Sequence, residues 1–174
     1  IDGGDGDDNL NGENGDDTLI GGSGNDVINT NQGYHLIDGG EGNDTLSSNN
    51  GDDTITGGSG EDLINSGQGA DIIDGGDDND TLSGGGGDDS IIGGAGDDLI
   101  NGDNGNDTLI GGSGTDRITG GGGNDVFVLS IGLTFNQLEI TGSNSTAIIF
   151  EGNTIAVISG LESSRLETDR FIEI

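Results

Sequence analysis

The chain has 174 residues, including 40 Gly, 34 Asp or Glu and three Arg, and a net charge of −31. With 27% hydrophobic residues and no Trp, Met, Cys or Pro, it cannot build the apolar core of a conventional globular enzyme of this size, and it has no disulfide or thiolate metal site. The acidity excludes a nucleic-acid interface, which needs basic side chains against phosphates; no apolar run reaches the ~18–20 residues of a membrane span, and no signal peptide is visible. Composition alone reads as disorder, and the one rival reading is a fold held by cations.

In chain order, Ile1-Asp2 fits the end of a nine-residue frame, and residues 3–128 divide into fourteen consecutive nine-residue units without insertion or deletion. Position 8 is apolar in every unit, from Leu10 and Leu19 to Ile118 and Phe127. Position 6 is Asp in thirteen units, with His35 the exception; position 4 is Gly in thirteen, with Asp78 the exception. A chain that begins inside this frame, with no initiator Met, is expected to be part of a longer array or protein.

Six residues rich in Gly, Asn and Asp predict a turn, and the next three, x-apolar-x, predict a short strand with position 8 on one side. Two units make one coil, and coils stack at ~4.8 Å. Odd units then form one parallel sheet and even units the other, with the position-8 side chains between them. One aliphatic side chain per nine residues is a thin core against the entropy of ordering the backbone. Stacking also brings the position-6 carboxylates to about 5 Å from one another, which repels unless cations intervene. A hard, oxygen-preferring cation suits stacked carboxylates and turn carbonyls; Ca²⁺ accepts 6–8 oxygens in flexible geometry, whereas Mg²⁺ is stricter.

The nonapeptide Gly-Gly-x-Gly-x-Asp-x-apolar-x resembles the haemolysin-type calcium-binding repeat of RTX proteins, over residues 1–128. The resemblance implies an all-β fold, a right-handed parallel β-roll solenoid, with Ca²⁺ between turns two units apart. It implies Asp ligands from both turns, in an odd column of Asp8, Asp26, Asp44, Asp62, Asp80, Asp98 and Asp116 and an even column of Asp17, Asp53, Asp71, Asp89, Asp107 and Asp125 with His35 in second place. Between units 5 and 7, the carbonyls of Gly40, Gly42, Gly57 and Ser59 would complete the shell around Asp44 and Asp62. Seven turns per column leave six gaps, hence at most twelve Ca²⁺. Imidazole is a poor Ca²⁺ ligand, so the Asp17–His35 and His35–Asp53 gaps are expected to be weak or empty.

Other chemistry finds no support. His-Glu-x-x-His is absent, and a lone His35 cannot make a zinc triad, so it reads as a degenerate repeat position. The EF-hand pattern fails because its sixth-position Gly, counted from Asp5, is Leu10. No Gly-x-Gly-x-x-Gly lies between a strand and a helix, and acidic turns would repel a pyrophosphate. The glycosylation sequons Asn43-Asp44-Thr45, Asn79-Asp80-Thr81, Asn106-Asp107-Thr108 and Asn144-Ser145-Thr146 read as incidental. An ice-binding face would need two regular ranks of Thr and Asn; only position 9 of the odd units is so regular. No catalytic residue and no organic cofactor is indicated.

Composition shifts at Leu129, which divides the repeat domain (1–128) from a C-terminal β-rich cap (129–174). Leu138–Thr141, Ile148–Phe150 and Thr154–Ile158 read as strands, the last two around a Glu151-Gly152-Asn153 turn, and Leu161–Leu166 as one helical turn. A solenoid needs a cap on its open end, and this one is expected to lie over the outward patch of Ile92, Ile110, Val126 and Val128. Gly132-Leu133-Thr134-Phe135-Asn136-Gln137-Leu138 resembles the ends of cyanobacterial RTX proteins, which implies type I secretion through an uncleaved C-terminal region; Arg170–Ile174 is compatible. The expectation is a non-enzymatic calcium-binding module of a secreted bacterial protein. Such a module would fold on Ca²⁺ outside the cell, with type I secretion machinery and an upstream domain of the same chain as partners. The alternative is a structural spacer or building block of an extracellular surface layer, adhesin or filament.

Overall fold

A computed structural model describes residues 1–129 and three strands of the tail, at 139–142, 146–150 and 153–158. Strands of the repeats are β1 (Asp2–Asp5), β2 (Asn9–Asn14), β3 (Thr18–Ser23), β4 (Val27–Gln32), β5 (Leu36–Glu41), β6 (Thr45–Ser47), β7 (Thr54–Ser59) and β8 (Leu63–Gln68). They continue with β9 (Ile72–Asp77), β10 (Thr81–Gly86), β11 (Ser90–Ala95), β12 (Leu99–Asn104), β13 (Thr108–Ser113), β14 (Arg117–Gly121) and β15 (Val126–Leu129). The tail adds β16 (Glu139–Gly142), β17 (Thr146–Phe150) and β18 (Asn153–Ile158).

Strands alternate between two sheets. One runs β1-β3-β5-β7-β9-β11-β13-β15-β17-β18, the other β16-β14-β12-β10-β8-β6-β4-β2. The repeat strands pair in parallel, eighteen residues apart in sequence, as Leu82↔Ile100 and Ile91↔Leu109 show. The result is an all-β parallel solenoid of about seven turns, the architecture that the nine-residue frame predicts. All fourteen position-8 side chains form one buried core cluster, with Leu10 the most accessible at 8%. Their neighbours at position 7 point out, so Leu63, next to fully buried Ile64, is 51% exposed.

The strands are longer than expected. Most span six residues, not three, because positions 1 to 3 of the following unit continue the ladder, as in Gly22↔Gly40 and Ser23↔Glu41. Glycine makes this possible: Gly40 has φ +109°, and a Cβ there would meet the Gly22 carbonyl of the coil before. The turn proper shrinks to positions 4 to 6.

In the tail, β17 and β18 form the expected antiparallel hairpin. The ladders also cross the boundary at Leu129: β16 pairs with β14 (Ile118↔Ile140), and β17 with β15 (Phe127↔Ile148). These tail strands dock edge-on and extend both sheets, rather than lying over the half-buried outer patch of Ile92, Ile110, Val126 and Val128. An open ladder edge recruits strands through its unpaired backbone groups, which favours this docking. The segments 132–138, 161–166 and 170–174 lie outside the described residues, except that β16 begins just after the first.

Candidate metal centres along the turns

Each position-6 residue follows a turn whose position 4 has positive φ, as at Gly42 (+123°), and precedes the strand that buries position 8. Eighteen-residue register therefore stacks position 6 on position 6, and the thirteen predicted aspartates fall into the two expected columns. From Asp26 onward these side chains are buried, whereas Asp8 and Asp17 in the first coil are half-buried.

The two carboxylate oxygens face different ways. Oδ1 accepts the backbone N–H of the coil before: Asp26 N–H donates to Asp44 at 2.7 Å, Asp44 to Asp62 at 2.8 Å and Asp62 to Asp80 at 2.8 Å. The even column repeats this from Asp53 to Asp71 at 2.8 Å and Asp71 to Asp89 at 2.9 Å. Oδ2 is buried without a hydrogen-bond partner in Asp8, Asp17, Asp26, Asp44, Asp53, Asp62, Asp71, Asp80, Asp89, Asp98 and Asp107. A buried, unpaired carboxylate oxygen is a costly feature once, and here it recurs in each of the first six coils.

What Oδ2 faces in the odd column, from Asp8 to Asp98, is a second acceptor. Beside Gly39, a Cβ would meet both Asp44 Oδ2 and, at 2.6 Å, the Gly57 carbonyl oxygen of the next coil. Beside Gly57, the pair is Asp62 Oδ2 and the Gly75 carbonyl. Carbonyls of Gly40 and Gly42 point at Gly58 and Gly60 across the same gap. The Ser59 carbonyl accepts the Gly42 N–H at 2.8 Å, which leaves it one lone pair. Convergent oxygens with no hydrogen between them fit a hard cation, and the acceptor beside each such Oδ2 is a main-chain carbonyl; among the described residues no three His, Cys, Asp or Glu side chains converge.

Electrostatics agree. Burial, partly offset by the Asp44 N–H and reinforced by the Asp44 and Asp78 charges, pushes Asp62 up to about 6. Burial pushes Asp80 and Asp89 up to about 7 and Asp107 up to about 6, each against one backbone N–H and with neighbouring carboxylates adding to the rise. These columns resist ionising by themselves, and a bound cation reverses that preference.

His35 takes the place of an aspartate without breaking the ladder. Its Nδ1 accepts the Asp17 N–H at 3.4 Å and lies 3.8 Å from Asp17 Oδ2, its own N–H donates to Asp53 Oδ1 at 2.7 Å, and Nε2 is buried and unpartnered. Imidazole thus keeps the backbone contact and removes the anionic oxygen.

A second ladder escapes the sequence reading. At position 5, exposed Asp or Asn side chains accept the backbone N–H of the following coil: Asp7 from Asn25, Asn25 from Asn43, Asn43 from Glu61 and Asp97 from Thr115, at 2.7 to 3.0 Å. It runs opposite to the position-6 ladder, where the preceding coil donates. The available signal is the recurrence of Asp and Asn at position 5 of most units.

Columns of paired oxygens on a parallel solenoid define a cation-binding repeat protein. The model of the RTX calcium-binding nonapeptide repeat matches four times, over residues 2–34, 38–73, 74–109 and 101–132. The chain belongs to this family of calcium-binding repeat proteins, whose repeats are typical of secreted bacterial proteins. A search of the curated proteins finds no match to it. No helix among the described residues is long and apolar enough to cross a membrane.

Proposed function

We propose that this module is a calcium-triggered folding unit, without catalytic activity of its own, of a larger protein secreted by a type I route. The observation that carries the reading is the odd column of buried Oδ2 atoms, from Asp8 to Asp98, each facing a position-1 carbonyl of the next coil with no donor between them. At low Ca²⁺ the carboxylates repel and the thin core does not hold the chain, which suits passage through an export channel. Calcium supplies the positive charge that makes stacking of the turns favourable, so binding free energy becomes folding free energy. The extracellular calcium level then acts as the folding signal.

Circular dichroism during calcium titration tests this, with Mg²⁺ and a chelator as controls. Full β signal on calcium, little on Mg²⁺ and loss on chelation are expected. A β signal indifferent to divalent cations at neutral pH removes the folding-unit reading.

A further inference from the structure

Position 1 separates the two columns. It is Gly in eleven units, and none of the eleven has a left-handed φ, so the backbone does not demand glycine there. Space does: a side chain at Gly3, Gly21, Gly39, Gly57, Gly75 or Gly93 would fill the room between an Asp Oδ2 and the position-1 carbonyl of the next coil. Those six glycines govern all six gaps of the odd column.

The three exceptions are Thr30, Ser48 and Ser66, consecutive in the even column. All three are buried, and each hydroxyl donates to the position-1 carbonyl of the next coil: Thr30 Oγ1 to Ser48 at 3.0 Å, Ser48 Oγ to Ser66 at 2.7 Å and Ser66 Oγ to Gly84 at 2.7 Å. That carbonyl is the one left facing a bare carboxylate oxygen in the odd column. Here a hydroxyl stands in the room and gives its hydrogen to the carbonyl, so that the carbonyl is no longer a bare acceptor, while Asp53 Oδ2 and Asp71 Oδ2 keep no hydrogen-bond partner. One coil earlier, the space beside Gly12 is met by the Thr30 Cγ2 methyl at 2.9 Å and Leu19 Cδ1 at 3.2 Å, with Asp17 Oδ2 at 3.0 Å. Two of those three neighbours are apolar.

We propose that the two columns are chemically unequal: the odd column takes a calcium ion in each gap, whereas the even column from Asp17 to Asp89 is a hydroxyl seam that joins coils without calcium. The proposal rests on the calcium reading of the repeats and goes past what His35 alone implies. The Asp53–Asp71 and Asp71–Asp89 gaps hold both carboxylates, but the hydroxyls of Ser48 and Ser66 occupy the room beside Oδ2 and take up the carbonyl that a cation would share.

Counting ions on the full chain by native mass spectrometry, at calcium saturating the circular dichroism signal, tests it. The wild type should hold four ions fewer than its twelve gaps. A Ser48→Gly/Ser66→Gly variant should gain two, and a Gly57→Ser/Gly75→Ser variant should lose two while keeping its β signal. An unchanged count in either variant overturns the seam, and a lower count in the first shows the hydroxyls to be ligands instead. A wild type holding no calcium sinks the calcium reading, and the proposal with it; a wild type holding twelve sinks the seam alone.

Discussion

The Asp44 backbone N–H donates to Asp62 Oδ1 at 2.8 Å across eighteen residues of sequence, and Asp62 Oδ2 is left buried with no partner. One side chain thereby ties a coil to its predecessor and presents a bare anionic oxygen toward its successor. The same division of labour within one carboxylate explains why the repeat keeps Asp at this position: both oxygens are used, and Asn supplies only one acceptor.

Asp62→Asn separates the two uses. The amide oxygen still accepts the Asp44 N–H, while the amide nitrogen donates toward the Gly75 carbonyl in place of a cation. The calcium count should fall by one or two ions, and the metal-free variant should show more β signal at neutral pH than the metal-free parent. Native mass spectrometry and circular dichroism read these outcomes; an unchanged ion count would place the ligands elsewhere.

Ile64 and Leu63 are neighbours on opposite faces, at 1% and 51% exposure. Ile64→Ala opens a cavity between the sheets and should cost about 2–5 kcal/mol of the calcium-loaded stability. Leu63→Ala should stay within about 0.5 kcal/mol. Urea unfolding in saturating calcium measures both, and equal losses would contradict the two-faced strand.

Much of this organisation is legible in the sequence because one number, the nine-residue period, fixes register, core and columns together. Ile64, Leu82 and Ile100 stack because they share position 8, and Asp62, Asp80 and Asp98 because they share position 6. The Gly-Gly pair at Gly39-Gly40 hid half of each strand, since glycine has no side chain to show alternation. The position-5 ladder of Asn25 and Asn43 hid for a different reason: an Asn bonded to its own turn and one bonded to the next coil look alike in sequence. Thr30, Ser48 and Ser66 carry no signal in the nine-residue pattern, because only the space beside position 1 shows what a side chain there would fill. Edge-on docking of β16 and β17 depends on the open end of the ladder, which no local pattern encodes.

Asp78 is the one position-4 residue that is not Gly, and its φ is +76°. L residues other than Gly visit this region at a cost of roughly 1–2 kcal/mol, less for Asp. Its charge also raises the neighbouring Asp62 and Asp80 carboxyls. Asp78→Gly should therefore raise stability by about 1 kcal/mol in saturating calcium, with unchanged ion count. A lower urea midpoint would give Asp78 a ligand role that its position does not suggest.

Acidity should act in opposite directions on the metal-free and calcium-loaded chains. Without metal, the folded carboxyls of Asp62 and Asp107 sit at about 6 and those of Asp80 and Asp89 at about 7, against 3.8 unperturbed. A folded pKa above the unfolded one means that the native state binds protons more tightly. The stabilisation is complete below the unfolded value and is lost as pH rises through the folded values. The metal-free chain should gain β structure as pH falls from about 8 to 5, in a window set by those carboxyls. With calcium the carboxylates must be ionised to ligate, so protons compete with the ion and half-saturation should move to higher calcium over the same window. Circular dichroism of chelator-stripped protein, with and without added calcium, checks both slopes, at pH values kept above the isoelectric point near 4.1 to avoid precipitation. Parallel slopes in the two conditions would mean that the buried carboxylates are not the groups the cation replaces protons on.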